Sequence, residues 1–321
     1  MTLQKIRTKS TGHLTSLERD SFANLVDQSN SNFRVKAGSV VDVSLEALDP
    51  GAIVYNEADG KMYFCDDEWW NPAGVPIKLK VVYTDTQFAF KFQAPSGSTL
   101  QIYDGDGTLT AVAGNDAVDV THTTSYAVPG SYYFYVEGDY LDLTKINIPS
   151  QSFVSGDISR WSELINLKYL GVALTSVSGD VSKFSILTSL VTLKVSSSLV
   201  TGNIESWAAL LSVATLQAAN TSVSGDISGL GVLTAPGLVR FDGADITFDK
   251  IETFNDISTA IWINDCGLSS AMVDNALQSF ALLPITNCLI NVDGTNAART
   301  SASDAAKATL LTAGNTVTVN E

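Results

Sequence analysis

Four groups of residues in this chain are of types that could do chemistry, and the spacing of each limits what that chemistry would be. In Tyr103-Asp-Gly-Asp-Gly-Thr108, Asp104 and Asp106 alternate within a glycine-rich turn, which makes them calcium candidates. The twelve-residue Asp-x-Asp-x-Asp-Gly loop is incomplete there and no glutamate closes it. A hairpin turn with glycine at positive φ is the competing reading, and no metal is expected. The chain has only two histidines, His13 and His122, and His122 is expected to donate a hydrogen bond within a β structure. Cys65, Cys266 and Cys288 lack CxxC spacing and lie in apolar, strand-like stretches, so they read as buried free thiols rather than a metal site or disulfide framework. Asp157, Asp180 and Asp226 recur at one position of a repeat, as expected of carboxylates that cap turn N–H groups. No Ser-His-Asp set, GxSxG, HExxH, P-loop or GxGxxG after a strand is present. The chain is expected not to be an enzyme and to need no cofactor. Its many acidic residues keep a glycosidase pair, as in a surface-glycan depolymerase, as the alternative.

The elements that would position these residues follow from self-comparison. Gly156, Gly179, Gly202 and Gly225 are each 23 positions apart, and the apolar residues keep phase with them. Ile158, Val181, Ile204 and Ile227 follow the glycines by two; Leu164, Leu187, Leu210 and Leu233 follow by eight. The pairs Leu170/Val172, Leu193/Val195, Leu216/Ala218 and Val239/Phe241 alternate as a short strand with two inward side chains. One unit cannot bury this apolar set alone, so neighbours must stack into a solenoid with a parallel sheet on one face. Partial rungs flank the array at Ile146/Ile148 with Val154, and at Ile261-Trp-Ile263-xx-Cys266-x-Leu268. Beyond them, Val273, Ala276, Leu277 and Phe280 are spaced as one helix face over Ser270–Leu283, and Pro284 stops the helix. A strand at Ile290/Val292, a second helix opened by Ser301-x-x-Asp304 and a last strand at Thr316–Val319 complete a cap.

These units, for example Leu167-xx-Leu170-x-Val172-xx-Thr175-x-Val177-x-Gly179-x-Val181, resemble leucine-rich repeats of the LxxLxLxxNxLxGxI type. Thr175, Ser198 and Thr221 replace the asparagine of that family, and each hydroxyl is expected to satisfy a neighbouring backbone group. The resemblance implies a concave face built from the residues between the inward positions, with Tyr169, Lys194, Gln217, Arg240, Asp242, Trp262 and Asn264 as its candidate binding residues. Trp and Arg are typical interface anchors, and an aromatic among hydroxyls and amides also suits sugars.

Strand-like runs at Lys80–Tyr83, Phe88–Phe92, Leu100–Tyr103 and Tyr132–Val136 give an all-β module over 78–143. Its Tyr103-Asp-Gly-Asp-Gly, His122 and Tyr126-Ala-Val-Pro-Gly-Ser-Tyr132 resemble a polycystic-kidney-disease-type sandwich, with tyrosine in place of the family's tryptophan. Upstream, Thr15-Ser-Leu-Glu18 reads as a capping box opening a helix with Phe22 and Leu25 on one face. Ala52–Tyr55 and Lys61–Cys65 read as a hairpin about an Asp-Gly turn, followed by Trp69 and Trp70. The opening Ile6-Arg-Thr-Lys-Ser-Thr-Gly-His-Leu-Thr…Glu18-Arg-Asp…Phe22-Ala-Asn-Leu25 resembles the start of tailed-phage fibre and appendage proteins. The resulting division is a docking segment over 1–77, a sandwich over 78–143, the solenoid over 144–268 and the cap over 269–321.

Composition excludes several classes of function. The 321 residues carry 34 Asp+Glu against 19 Lys+Arg, a net charge of -15 and a pI of about 4.4. This disfavours phosphate-led binding of nucleic acid and leaves no polybasic segment for anionic lipid. No apolar run reaches the roughly 18–20 residues of a membrane span, and the basic start lacks the apolar stretch of a secretion signal. With the resemblances, this implies a virion protein assembled in a host cytoplasm: a tail fibre or appendage, or alternatively a capsid decoration or head fibre. Its expected partners are other virion proteins through the N-terminal segment, further copies of itself, and a host-cell receptor or glycan.

Overall fold

The structure is a computed structural model. It describes residues 77–321 except 85–86, 149, 234–236 and 251–258, and also the strand backbones at 36–37, 53–56, 61–66 and 69–72. The chain divides into two compact units, 1–75 and 76–321. In the first, strands β1 (Lys36–Ala37), β2 (Ile53–Asn56), β3 (Lys61–Asp66) and β4 (Trp69–Pro72) form one sheet in that order. β2 and β3 make the expected antiparallel hairpin, with Asn56 opposite Lys61, and Trp69 and Trp70 open the third antiparallel strand. The helix expected after Thr15 and the side chain of Cys65 lie outside the described residues.

The second unit begins as a sandwich of β5 (Lys78–Tyr83), β6 (Phe88–Gln93), β7 (Thr99–Tyr103), β8 (Leu109–Ala113), β9 (Val120–Thr124) and β10 (Gly130–Gly138). Every second residue points inward, so Leu79, Val81, Phe88, Phe90, Phe92, Leu100, Ile102, Phe134 and Val136 are buried between the layers. The chain then winds into coils, each contributing strands to two parallel sheets. The first coil supplies β11 (Lys145–Asn147) and β12 (Val154–Asp157), the second β13 (Tyr169–Gly171) and β14 (Ser176–Asp180). The third supplies β15 (Thr192–Lys194) and β16 (Leu199–Asn203), the fourth β17 (Thr215–Gln217) and β18 (Ser222–Asp226), and the fifth β19 (Leu238–Arg240) and β20 (Asp245–Thr247). β21 (Ala260–Trp262) follows. Short 3-10 helices such as Val181–Ile186 and Ile204–Ala209 close the coils, with Trp161, Phe184 and Trp207 buried beneath them.

The first coil pairs with the sandwich. β12 runs antiparallel to β5 and β11 antiparallel to β6, so both sheets of the coils continue into both layers of the sandwich. Among the described residues this gives one nine-stranded and one ten-stranded sheet, with a single apolar core from Ile77 to Leu310. The cap lies at the other end. α1 (Ser270–Ala281) buries Val273, Ala276, Leu277 and Phe280 as its spacing predicts. β22 (Leu289–Asn291) and β23 (Thr316–Thr318), with α2 (Asp304–Thr312) between them, add two parallel strands to the ten-stranded sheet. One capping detail differs from expectation. Thr300, not Ser301, caps the entry to the second helix, and the Asp304 carboxylate pairs with Arg299 instead of reaching back to Ser301.

The repeat-borne polar residues have the roles their spacing implies. Asp157, Asp180, Asn203 and Asp226 each accept, through Oδ1, the N–H two residues ahead at 2.8–2.9 Å and so start the 3-10 turn. The hydroxyls of Thr175, Ser198 and Thr221 each donate at 2.6 Å to the carbonyl three residues earlier on their own coil.

Candidate recognition face

From β11 to β22 of the ten-stranded sheet the middle residue of each short strand is buried, and its neighbours stand on the outer face. The parallel register sets Gly171, Lys194, Gln217, Arg240, Trp262 and Asn291 side by side, one per strand, about 4.8 Å apart. The structure joins some of the predicted residues and separates others. Arg240 Nε and Nη2 donate to the two carboxylate oxygens of Asp242 at 2.5 and 2.9 Å, and the guanidinium stacks 4.5 Å from the ring centroid of Trp262. The hydrogen bond to Asp242 holds the Arg240 pKa above its ordinary value, so the stacked group stays cationic. Tyr169 lies 4.7 Å under Lys145 Nζ, which also pairs with Asp119 at 2.9 Å; that bond lowers the Asp119 pKa. Lys194 and Gln217 are half-buried, and neither side chain has a hydrogen-bond partner among the described residues. Asn264 donates to the adjacent Asp265 at 2.8 Å.

Sequence reasoning missed the start of this row. Asn147 on β11 is in register with Gly171, and Lys91 on β6 is in register with Asn147. The signal was the alternation of Lys91 with buried Phe90 and Phe92, but pairing of a sandwich strand with a coil leaves no mark in either sequence. The second parallel sheet, β12 to β20, was also missed, although Val-Ser-Gly-Asp alternates as a strand should.

Asp104 and Asp106 are not arranged as ligands to one ion. Asp104 is buried, and its Oδ1 accepts from His122 Nε2 at 2.8 Å and Thr124 Oγ1 at 2.5 Å, while its carbonyl accepts from the Tyr126 hydroxyl at 2.8 Å. Burial first, and then the nearby Asp104 and Asp106 charges, push the Tyr126 pKa well above the ordinary phenol value. Asp106 is exposed and accepts the Thr108 N–H at 2.8 Å. Among the described residues no group of three or more His, Cys, Asp or Glu could hold a metal ion. Cys266 and Cys288 are free thiols. Burial pushes them up to about 12 and about 11, so neither is a nucleophile at neutral pH. Cys266 is half-buried and donates to the Phe241 carbonyl of the preceding coil at 3.2 Å.

No family model and no curated protein matches the chain. Among solved structures, an internalin from Listeria monocytogenes is similar at 17% identity over 51% of this chain and 45% of its own, with a TM-score of 0.40. A plant ice-binding protein is similar at 15% identity over 50% and 56%, TM-score 0.38. A TDR receptor is similar at 19% identity over 47% and 31%, TM-score 0.34. In each case the match spans less than two thirds of the solved chain.

Proposed function

We propose that this chain is a structural protein of a bacteriophage tail fibre or appendage that does no catalysis. On this reading the N-terminal segment docks on the particle and the outer face of the ten-stranded sheet recognises a host-cell receptor or glycan. The observation that carries the recognition role is the row Lys194, Gln217, Arg240 and Trp262 on adjacent strands, with a cation stacked on a half-exposed indole. The Ile6–Leu25 opening supports the virion part. Trp262→Ala is the cleaner probe, because Arg240→Ala also leaves the Asp242 carboxylate without its partner. Loss of such an aromatic anchor typically costs about 2 kcal/mol or more, so attachment of purified protein to host cells should weaken roughly thirtyfold at unchanged thermal stability. Antibody labelling of assembled particles tests the rest. A tail-tip position favours receptor binding, a capsid-lattice position favours decoration, and absence from particles overturns the proposal.

A further inference from the structure

The charge of the outer face is opposite to that of the chain as a whole. The molecule has a net charge of -15, yet no Asp or Glu stands on any of the ten strands. Outward cations stand on four of them: Lys91 on β6, Lys145 on β11, Lys194 on β15 and Arg240 on β19. The nine-stranded sheet carries Asp157, Asp180, Asp226 and Asp245 on its coil strands, and Glu137 with Lys78 and Lys80 on its sandwich strands. Of the carboxylates just beyond the strand ends, Asp119 is held by Lys145 and Gln93, and Asp242 by Arg240; Asp293 follows β22. Lys91 and Lys194 form no salt bridge among the described residues, and the Lys91 charge adds to that of Lys145 in lowering the Asp119 pKa. Arg240 has five N–H donors and directs two at Asp242, so others remain for a ligand.

We infer that this face takes a linear polysaccharide bearing carboxylates, laid across the strands, with its acidic groups at Lys91, Lys194 and Arg240 and its rings on Tyr169 and Trp262. The inference rests on the recognition role proposed above and narrows its ligand. β15 and β19 are two strand steps apart, about 10 Å, close to the length of a disaccharide; β6 and β15 are three steps apart, about 14 Å. An extended glycan can therefore meet successive cations without folding back. Neutral outward positions such as Asn147, Thr192, Thr215 and Gln217 offer hydroxyls and amides to sugar hydroxyls. An acidic peptide would instead need apolar pockets for its anchoring side chains. The acidic remainder of the protein repels any polyanion, but at physiological salt a screening length of about 8 Å confines that repulsion, leaving the local cations to decide.

The test measures binding of the full chain at about 150 mM salt to four probes: oligomers of uronic acid, oligomers alternating uronic acid with an amino sugar, a neutral glucan and polyglutamate. Wild type is compared with the double variant Lys91→Gln/Lys194→Gln and with Trp262→Ala. At least one acidic oligosaccharide should bind, weaken as salt is raised, and bind about tenfold less tightly to the lysine variant at unchanged thermal stability. The neutral glucan should not bind. Failure of both acidic oligosaccharides, equal binding by the lysine variant or a preference for polyglutamate each overturns the inference. A neutral glucan bound through Trp262 and indifferent to the lysines removes the anionic ligand but keeps the recognition role. No binding to any probe, with Trp262→Ala also without effect on cell attachment, removes both.

Discussion

Each coil of the solenoid contributes one strand to each of two sheets, and the outer faces of the two sheets have diverged. On the nine-stranded sheet the repeat positions Ser155, Ser178, Thr201, Ser224 and Thr247 keep one chemistry through five coils, and the register sets each of the last four opposite the turn-capping Asp or Asn of the preceding coil. On the ten-stranded sheet the equivalent column runs Asn147, Gly171, Lys194, Gln217, Arg240 and Trp262, with no two residues alike. The fully buried strand side chains of the coils are aliphatic in both. A coil that must stack on its neighbour keeps the side chains that stacking requires, so repetition marks structural demand. Variation marks a face that the fold leaves open, and the candidate binding residues lie there.

Two glycines separate these cases most sharply. Gly179, at φ 126°, lies on the nine-stranded sheet, and a Cβ there would overlap Asp157 Oδ1 and stand 2.8 Å from the backbone nitrogen of Ser159 on the preceding coil. Neither the strained dihedral nor the backbone contact can relax without moving a coil, so Gly179→Ala should cost about 3–4 kcal/mol of unfolding free energy. Gly171 has no positive φ, and its added Cβ would press on side chains alone, Asn147 Oδ1 at 2.7 Å and the Tyr169 ring at 2.9 Å. Those side chains can turn away, so Gly171→Ala should cost less than about 1 kcal/mol and act mainly on binding. Urea denaturation of the two variants orders them, and equal costs would erase the distinction between the faces.

The polar residue inside the turn makes the second contrast. Thr175 in a regular coil donates to the Val172 carbonyl and accepts the Val177 N–H at 3.4 Å, whereas Asn296 in the cap satisfies four backbone groups. It accepts from the N–H groups of Cys266 and Leu268 at 3.1 and 3.0 Å and donates to the carbonyls of Ile263 and Val292 at 2.8 and 2.9 Å. Asn296→Ala should therefore lower stability by about 2–3 kcal/mol and Thr175→Ala by about 1 kcal/mol, read from denaturant midpoints. Similar losses would mean that the cap draws little of its stability from this asparagine.

The regular coils were legible because their demands are local. A 23-residue period with Ile, Leu and Val in constant phase can bury its apolar set only by stacking, and Asp180 two residues before Ser182 can reach only a nearby N–H. The helix face of Val273, Ala276, Leu277 and Phe280 was legible for the same reason. Contacts between elements distant in sequence were not. Pairing of β5 with β12 and of β6 with β11 uses backbone groups that every residue carries, so no residue type announces it. On the face itself, alternation placed Arg240 and Asp242 on one side of an extended chain, and the pair was within reach of sequence reasoning. Lys91 entered the row only through the register of the sandwich with the first coil.

The smallest expected effect tests whether the repeated carboxylates matter as acceptors or as charges. Asp180 Oδ1 accepts from the N–H and the hydroxyl of Ser182, and the hydroxyl bond, followed by the backbone bond, lowers its pKa. A folded-state pKa below the unfolded value of about 3.9 stabilises the fold fully above that value; the contribution is lost as pH falls through the lower, folded one. Asn203 makes the same turn with an amide oxygen at 2.8 Å, so the acceptor alone suffices one coil further on. Asp180→Asn should therefore cost only a few tenths of a kcal/mol at pH 7, since Asn and Asp cap about equally well. That small difference should vanish at an acid pH below the lowered folded-state pKa, where the wild-type carboxylate is also neutral. Urea midpoints of both proteins at the two pH values measure it, and a loss above about 1 kcal/mol at pH 7 would assign the column a charge-dependent role that the Asn203 coil does without.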